Sequence, residues 1–280
     1  MILRGWRQLI CAGAFALGTC SIACAQAAAM PAANPSQTEK KNAQELLQAM
    51  VSALGGDAWL ARKTWVIEGK MARFYKGQPE AGAPSFEEYG RTKPFAERFV
   101  LVSHYGAIVA KDHRDVAKVW SSEGGWEITY KGTTPLSAKE VADFERAREH
   151  SLETVVQDWL SEKNVEVRYQ GSKLAESALV DEIDIDRESG DAVIVLLDAQ
   201  THLPVSVSWR SRDAEFGDWD TDAVEFADYH QVQQVMTPYS VTHSHNGDTL
   251  AQQFVTRVVY NVALGDEVFA PKPWVAKKGK

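Results

Sequence analysis

The sequence predicts a mainly β (α+β) protein built on one curved antiparallel sheet. Three observations carry that expectation. From Trp65 onward, segment after segment alternates apolar and polar residues with a period of two. The segments are separated by turn signals of hairpin length, such as Glu123-Gly124-Gly125, Ser189-Gly190 and Asn246-Gly247, which are too short for the crossovers of a parallel sheet. Helical periodicity is confined to two places, one before the strands and one among them.

Taken in order, the first element is not part of the fold. Arg4 and Arg7 precede an apolar stretch from Leu9 to Ala23, and Ala23-Cys24-Ala25 fits the small-x-small cleavage pattern of a secretory signal peptide over residues 1–25. Leu17-Gly18-Thr19-Cys20 and Ser21-Ile22-Ala23-Cys24 also resemble lipobox ends, with Thr19 and Ser21 the poor positions. Soluble export to the periplasm is the favoured expectation, and a lipid anchor at Cys20 or Cys24 is its alternative. Residues 26–39 are rich in Ala, Pro, Asn and Ser and read as a flexible leader. The domain is expected over 40–272, with a basic tail at 273–280.

Within the domain, Leu46, Leu47, Met50, Val51 and Leu54 recur at helical spacing between Lys41 and Leu54, and Gly55-Gly56 supplies the stop. Trp65, Ile67 and Met71 then alternate with Glu68 and Lys70. Short strands follow at Phe95–Val102, Ala107–Lys111, Val116–Trp120 and Trp126–Tyr130, with His104-Tyr105-Gly106 as a turn. Ser137-Ala138-Lys139-Glu140 is a capping box. It opens a helical insert that runs to about Leu160 with a break near His150-Ser151, its apolar side made by Val141, Phe144, Val155, Val156, Trp159 and Leu160. Strands resume at Val165–Gln170, Leu179–Asp186, Ala192–Leu197, Val205–Trp209, Val224–Tyr229, Tyr239–His245 and Leu250–Tyr260.

Composition narrows the functions. Cys11, Cys20 and Cys24 are the three cysteines and all precede residue 26, so the mature domain has no disulfide, thiolate nucleophile or cysteine metal ligand. The chain has 30 basic and 38 acidic residues; removing Arg4 and Arg7 leaves 28 against 38, and no dense basic patch outside the tail. Nucleic acid is therefore not an expected partner. No G-x-S-x-G, H-E-x-x-H, P-loop or G-x-G-x-x-G occurs.

Two clusters invite a metal. In "HSHNGD" a two-residue Asn246-Gly247 loop would set His245 opposite Asp248 and His243 opposite Leu250, placing Tyr239, Val241, His243, His245, Asp248, Leu250, Gln252 and Phe254 on one face. His243, His245 and Asp248 are thus a candidate zinc or iron site, and a metal-dependent enzyme is the alternative function. The plainer account is a polar ribbon tip with an ordinary cross-strand pair. Asp218, Asp220 and Asp222 imitate the start of a calcium loop, but Ala223 and Tyr229 stand where that loop needs Gly and Glu. Glu182, Asp184 and Asp186 alternate with Ile183 and Ile185, as on a solvated strand face over a buried one.

The remaining signal is apolar. Trp59, Trp65, Trp120, Trp126, Trp159, Trp209, Trp219 and Trp274 lie beyond the leader. They are core, or the wall of a cavity such as a curved sheet can enclose.

Several segments, in order, resemble the outer-membrane lipoprotein-sorting (LolA/LolB-like) superfamily: "ALGG" at Ala53 to Gly56, "EGGW" at Glu123 to Trp126, "LLDAQTHLPVSV" at Leu196 to Val207, "FADYHQVQQVMTPYSV" at Phe226 to Val241 and "VVYNVALGDEVFAPK" at Val258 to Lys272. The resemblance implies an incomplete antiparallel β-barrel of about eleven strands, with helices over an apolar cavity. It further implies a non-enzymatic periplasmic carrier of lipid or lipoprotein acyl chains, acting without a cofactor, as a monomer, with an inner- or outer-membrane envelope partner. Arg73 and Arg98 are the early-strand arginines on which the family's functional arginine could fall. Strand periodicity nominates Trp65, Ile67, Phe99, Leu101 and Val119 as cavity lining, and Phe144, Val155 and Trp159 as the helical lid.

Overall fold

The computed structural model describes residues 37–102, 116–175, 178–212 and 217–273. The expected strand Ala107–Lys111, the turn before it, the export leader and the tail from Trp274 lie outside these ranges.

Helix α1 (Gln37–Leu54) and the single turn α2 (Asp57–Leu60) precede the strands. The helix begins inside the segment expected as leader. Ala43, Leu47, Met50 and Leu54 are buried at helical spacing along one face.

Fourteen strands of the described residues form one sheet, three more than the eleven expected. They are β1 (Thr64–Tyr75), β2 (Gln78–Pro79), β3 (Ser85–Arg91), β4 (Ala96–Val102), β5 (Val116–Ser121), β6 (Gly124–Thr129), β7 (Gly132–Pro135), β8 (Glu166–Ala175), β9 (Ala178–Asp186), β10 (Ala192–Asp198), β11 (Pro204–Arg212), β12 (Trp219–Val232), β13 (Val235–His245) and β14 (Asp248–Tyr260). The surplus lies in β2, β3 and β7, where charges, Gly and Pro hide the alternation.

The sheet order is β7-β6-β5-β4-β3-β1-β14-β13-β12-β11-β10-β9-β8, with β2 paired to β1, and every pairing is antiparallel. Two meanders meet where the first strand pairs with the last, Trp65 opposite Tyr260. The sheet does not close. Its edges are β7 and β8, and the chain between them is the helical insert: α3 (Ala138–Glu149), α4 (Leu152–Gln157) and a 3-10 turn (Trp159–Ser161). The capping box at Ser137 and Glu140 is formed. The break falls at His150-Ser151, where Ser151 caps α4 by accepting from the Thr154 amide.

The two sheet faces bury different things. On the inner face, α1 and α4 pack onto β8 to β13, enclosing Val155, Trp159, Ile183, Ile185, Val193, Val195, Leu197 and Val207. Each such side chain contributes roughly 1.5–3 kcal/mol by leaving water. Arg187 fastens the insert here: its guanidinium donates to Glu149 and Glu162 at 2.8 Å each and lies over the Trp159 ring. On the outer face, the short helix α5 (Asp266–Phe269) lays Val268 and Phe269 over Tyr89, Val100, Ala117, Val119 and Ile128. Arg98 secures that arm, donating to the carbonyls of Val268, Ala270 and Lys272 at 2.5, 2.7 and 3.0 Å.

Three sequence expectations need correction here. Val119 faces outward, because α5 buries the outer side of β5 and the inner side carries Lys118 and Trp120. His243 pairs with Ala251 and not with Leu250, since a bulge at Leu250 inserts one extra residue into β14. That extra residue turns Leu250, Gln252 and Phe254 to the opposite face, where Leu250 and Phe254 are exposed. The acids Glu182, Asp184 and Asp186 are not simply solvated: they are half-buried and answered by Lys173 and Arg168, the latter 2.6 Å from Asp186.

Candidate functional site

Helix α1 covers only one half of the inner face. Over the other half, between the sheet and the insert, lies a cavity of about 460 Å³, within the range that holds a small ligand. Its floor comes from five adjacent strands: Trp65 and Ile67 of β1, Glu88 of β3, Glu97 of β4, His243 of β13 and Tyr260 of β14. The roof is Phe144, Ala147 and Arg148 of α3 with Glu153, Thr154 and Gln157 of α4. Arg62, Thr92, Lys93 and Phe95 complete the wall.

Local packing shapes each part. The Trp65 ring lies flat over Gly90 of the neighbouring strand; a Cβ there would stand 2.0 Å from the indole, so only glycine admits the ring. The Trp65 indole N–H donates to Glu88 at 2.6 Å. Phe144 stacks on Trp120 of β5, centroids 4.2 Å apart and rings nearly parallel, which pins the roof helix to the sheet. Phe95 stands 6.0 Å from Phe144 and carries the Arg148 guanidinium on its face. Arg62 donates to Glu153 at 3.0 Å and lies over the Trp59 and Tyr260 rings.

Burial governs the titration of the floor. It pushes the Glu88 carboxyl above the usual carboxylate range, opposed by the Trp65 hydrogen bond and aided by nearby Glu153. Glu97 is pushed well above that range, by burial first and then by Glu88 beside it, with the Arg148 guanidinium acting against both. Burial lowers the His243 imidazole, which is therefore neutral at pH 7. The enclosure is thus apolar on Trp65, Ile67, Phe95 and Phe144, with acidic groups set into the floor.

The other nominated residues fall elsewhere. Phe99 and Leu101 share the inner face but pack beside the cavity, Phe99 stacked on Phe86 at 5.4 Å. Val155 and Trp159 belong to the insert, yet both are buried plugs against the sheet and do not line the space. Of the two candidate arginines, Arg73 is paired with Glu80 at 2.9 Å and Arg98 holds the outer arm; neither enters the cavity.

The three residues of the metal candidate are not brought together. His243 is in the cavity floor, Asp248 is exposed, and His245 is bonded to Asp222 at 2.8 Å. Asp220 takes the Asn246 amide at 2.7 Å, so Asp220 and Asp222 of the calcium-like stretch serve the hairpin tip. Among the described residues no group of three or more His, Cys, Asp or Glu is placed to hold a metal ion.

Glu88 and Glu97 were missed by sequence reasoning. The available signal was the run Phe86-Glu87-Glu88-Tyr89-Gly90, in which an acid shares a strand face with buried Phe86. A second hollow, about 700 Å³ between α1 and the start of β8, opens to solvent and mixes Leu47 and Val51 with Gln44, Gln48 and Ser52. It lacks the aromatic enclosure of the first.

No protein-family model and no curated protein matches the sequence. Solved structures do. A DUF1329 family protein from Desulfovibrio piger superposes with a TM-score of 0.50 at 13% identity, over 82% of this chain and 97% of that one. A domain named for outer membrane lipoprotein sorting, from Vibrio parahaemolyticus, gives 0.48 at 9% identity over 84% and 97%. A LolA superfamily protein from Nitrosomonas europaea gives 0.44 at 8% identity over 81% and 97%. The likeness to the DUF1329 protein is one of fold, which in this chain is an unclosed antiparallel sheet whose inner face is roofed by helices.

Proposed function

We propose that the protein is a periplasmic, non-enzymatic carrier or binder of lipid or lipoprotein acyl chains, held in the cavity beneath the insert. The observation that carries this reading is the aromatic and aliphatic enclosure made by Trp65, Ile67, Phe95 and Phe144. Moving an acyl chain through water exposes its methylenes at about 0.8 kcal/mol each, and a roofed apolar hollow shields them without chemistry. The sequence resemblance to lipoprotein-sorting proteins, the fold and the export-like leader support the same reading.

The test is direct. Protein purified from its native envelope is extracted, and co-purifying lipid is quantified by mass spectrometry alongside elemental analysis for metal. Near-stoichiometric lipid that is lost in Ile67→Asp is the expected result. Lipid-free protein that also fails to bind a fluorescent acyl probe would overturn the proposal, as would bound zinc or iron lost on His243→Ala.

A further inference from the structure

The cavity floor holds two carboxyls that an acyl chain does not need. Glu88 and Glu97 lie on adjacent strands, Glu97 opposite Gly90 and so diagonal to Glu88. Both residues are half-buried and line the cavity. Neither has an ion-pair partner among the described residues. Glu88 takes one hydrogen bond, from Trp65, and Glu97 takes none. The cations nearby form no ion pair with either acid: Arg62 is bonded to Glu153, Arg148 lies on Phe95 and its charge reaches Glu97 only from a distance, and Lys93 is exposed. Two acids that form no ion pair among the described residues, at one end of an apolar hollow, make half of a recognition site whose other half is a cation.

We propose that the cavity selects an apolar-tailed ligand bearing an amine, its ammonium group seated between Glu88 and Glu97 and its chain along Trp65, Ile67 and Phe144. This rests on the carrier reading and names the class of ligand for it. Arg62, Lys93, Arg148, Glu153, Asp158 and His243 face the same space, and none supplies the floor with a paired cation. An ammonium seated there favours the ionised carboxyls, so amine binding displaces to solvent any proton they hold.

The test uses the delipidated full chain and three probes of equal length: dodecylamine, dodecanol and dodecanoate. At pH 7 dodecylamine should bind roughly tenfold to a hundredfold more tightly than dodecanol, the range expected of hydrogen bonds to charged groups. Glu97→Gln should erase that preference; Glu88→Gln should reduce it. Calorimetry in two buffers of different ionisation enthalpy should show proton release with the amine and none with the alcohol. The inference fails alone if dodecanol binds and the amine is no better, if dodecanoate binds best, or if Glu97→Gln weakens all probes equally. If no probe binds, the carrier reading fails with it.

Discussion

Replacing Arg98 by Met keeps the apolar stem and deletes the fork that holds the outer arm. Three carbonyls then lose their donor, that of Val268 in a buried position and those of Ala270 and Lys272 in part-buried ones. Hydrogen bonds from a charged donor contribute about 1.5–3 kcal/mol each where they are buried, and less towards solvent. Against that stands the desolvation of the guanidinium itself, whose pKa burial pushes down to about 10. A net loss of about 3 kcal/mol is therefore expected, which for a domain of this size lowers Tm by roughly 6–12 °C. Urea unfolding monitored by tryptophan fluorescence gives the free energy, and hydrogen exchange of residues 264–273 tests the mechanism, since those amides should lose protection first. Arg98→Lys should fall between the two, because one ammonium cannot span three carbonyls. A variant within about 0.5 kcal/mol of wild type, or one that unfolds without prior release of the arm, would refute the clamp.

Other expectations follow from the same geometry. Glu88 and Glu97 hold protons more tightly in the folded than in the unfolded chain, so stability should fall as pH rises above their ordinary value of 4.5; Glu97→Gln should flatten that fall in denaturation curves between about pH 5 and 8, and an unchanged slope would count against the buried pair. Phe144→Ala removes the stack on Trp120 and should cost about 1–2 kcal/mol of stability together with most binding of a fluorescent acyl probe; probe binding that survives would move the site elsewhere. Asn246 and Gly247 both adopt positive φ, 52° and 84°, so Gly247→Val should destabilise the hairpin by about 1–2 kcal/mol, measured as a drop in Tm. Gly90→Ala should displace the Trp65 indole, seen as a lower Tm and weaker probe binding.

Much of the fold could be read from the residues, and the exceptions share a cause. Strands with one buried face, such as β9 with Ile183 and Ile185, declare themselves by alternation, and so do local devices like the Ser137 capping box and the Asn246-Gly247 turn. Strand β3 did not, because Glu88 points into a cavity where a hydrophobic residue would ordinarily stand. Val119 was placed on the inner face, whereas α5, distant in sequence, covers the outside of β5 and buries Val119 there. The bulge at Leu250 shifted Phe254 away from Val241, and no pattern in the ribbon announces it. Trp65, Ile67 and Phe144, nominated by periodicity, stand in the cavity's apolar wall; its acids were not legible, since a carboxylate on a strand ordinarily reports solvent.

The seam between the first and last strands has a kinetic meaning. Each half of the sheet is a run of hairpins that can zip from local turns as the chain emerges. The centre cannot, because it is fastened by contacts such as the Lys63 amide on the Asn261 side chain, 198 residues apart. Closing so long a loop is entropically slow. A chain cut short of β14 would leave both inner strand edges bare and sticky, so the final turn of synthesis decides whether two half-sheets become one protein or a nucleus for aggregation.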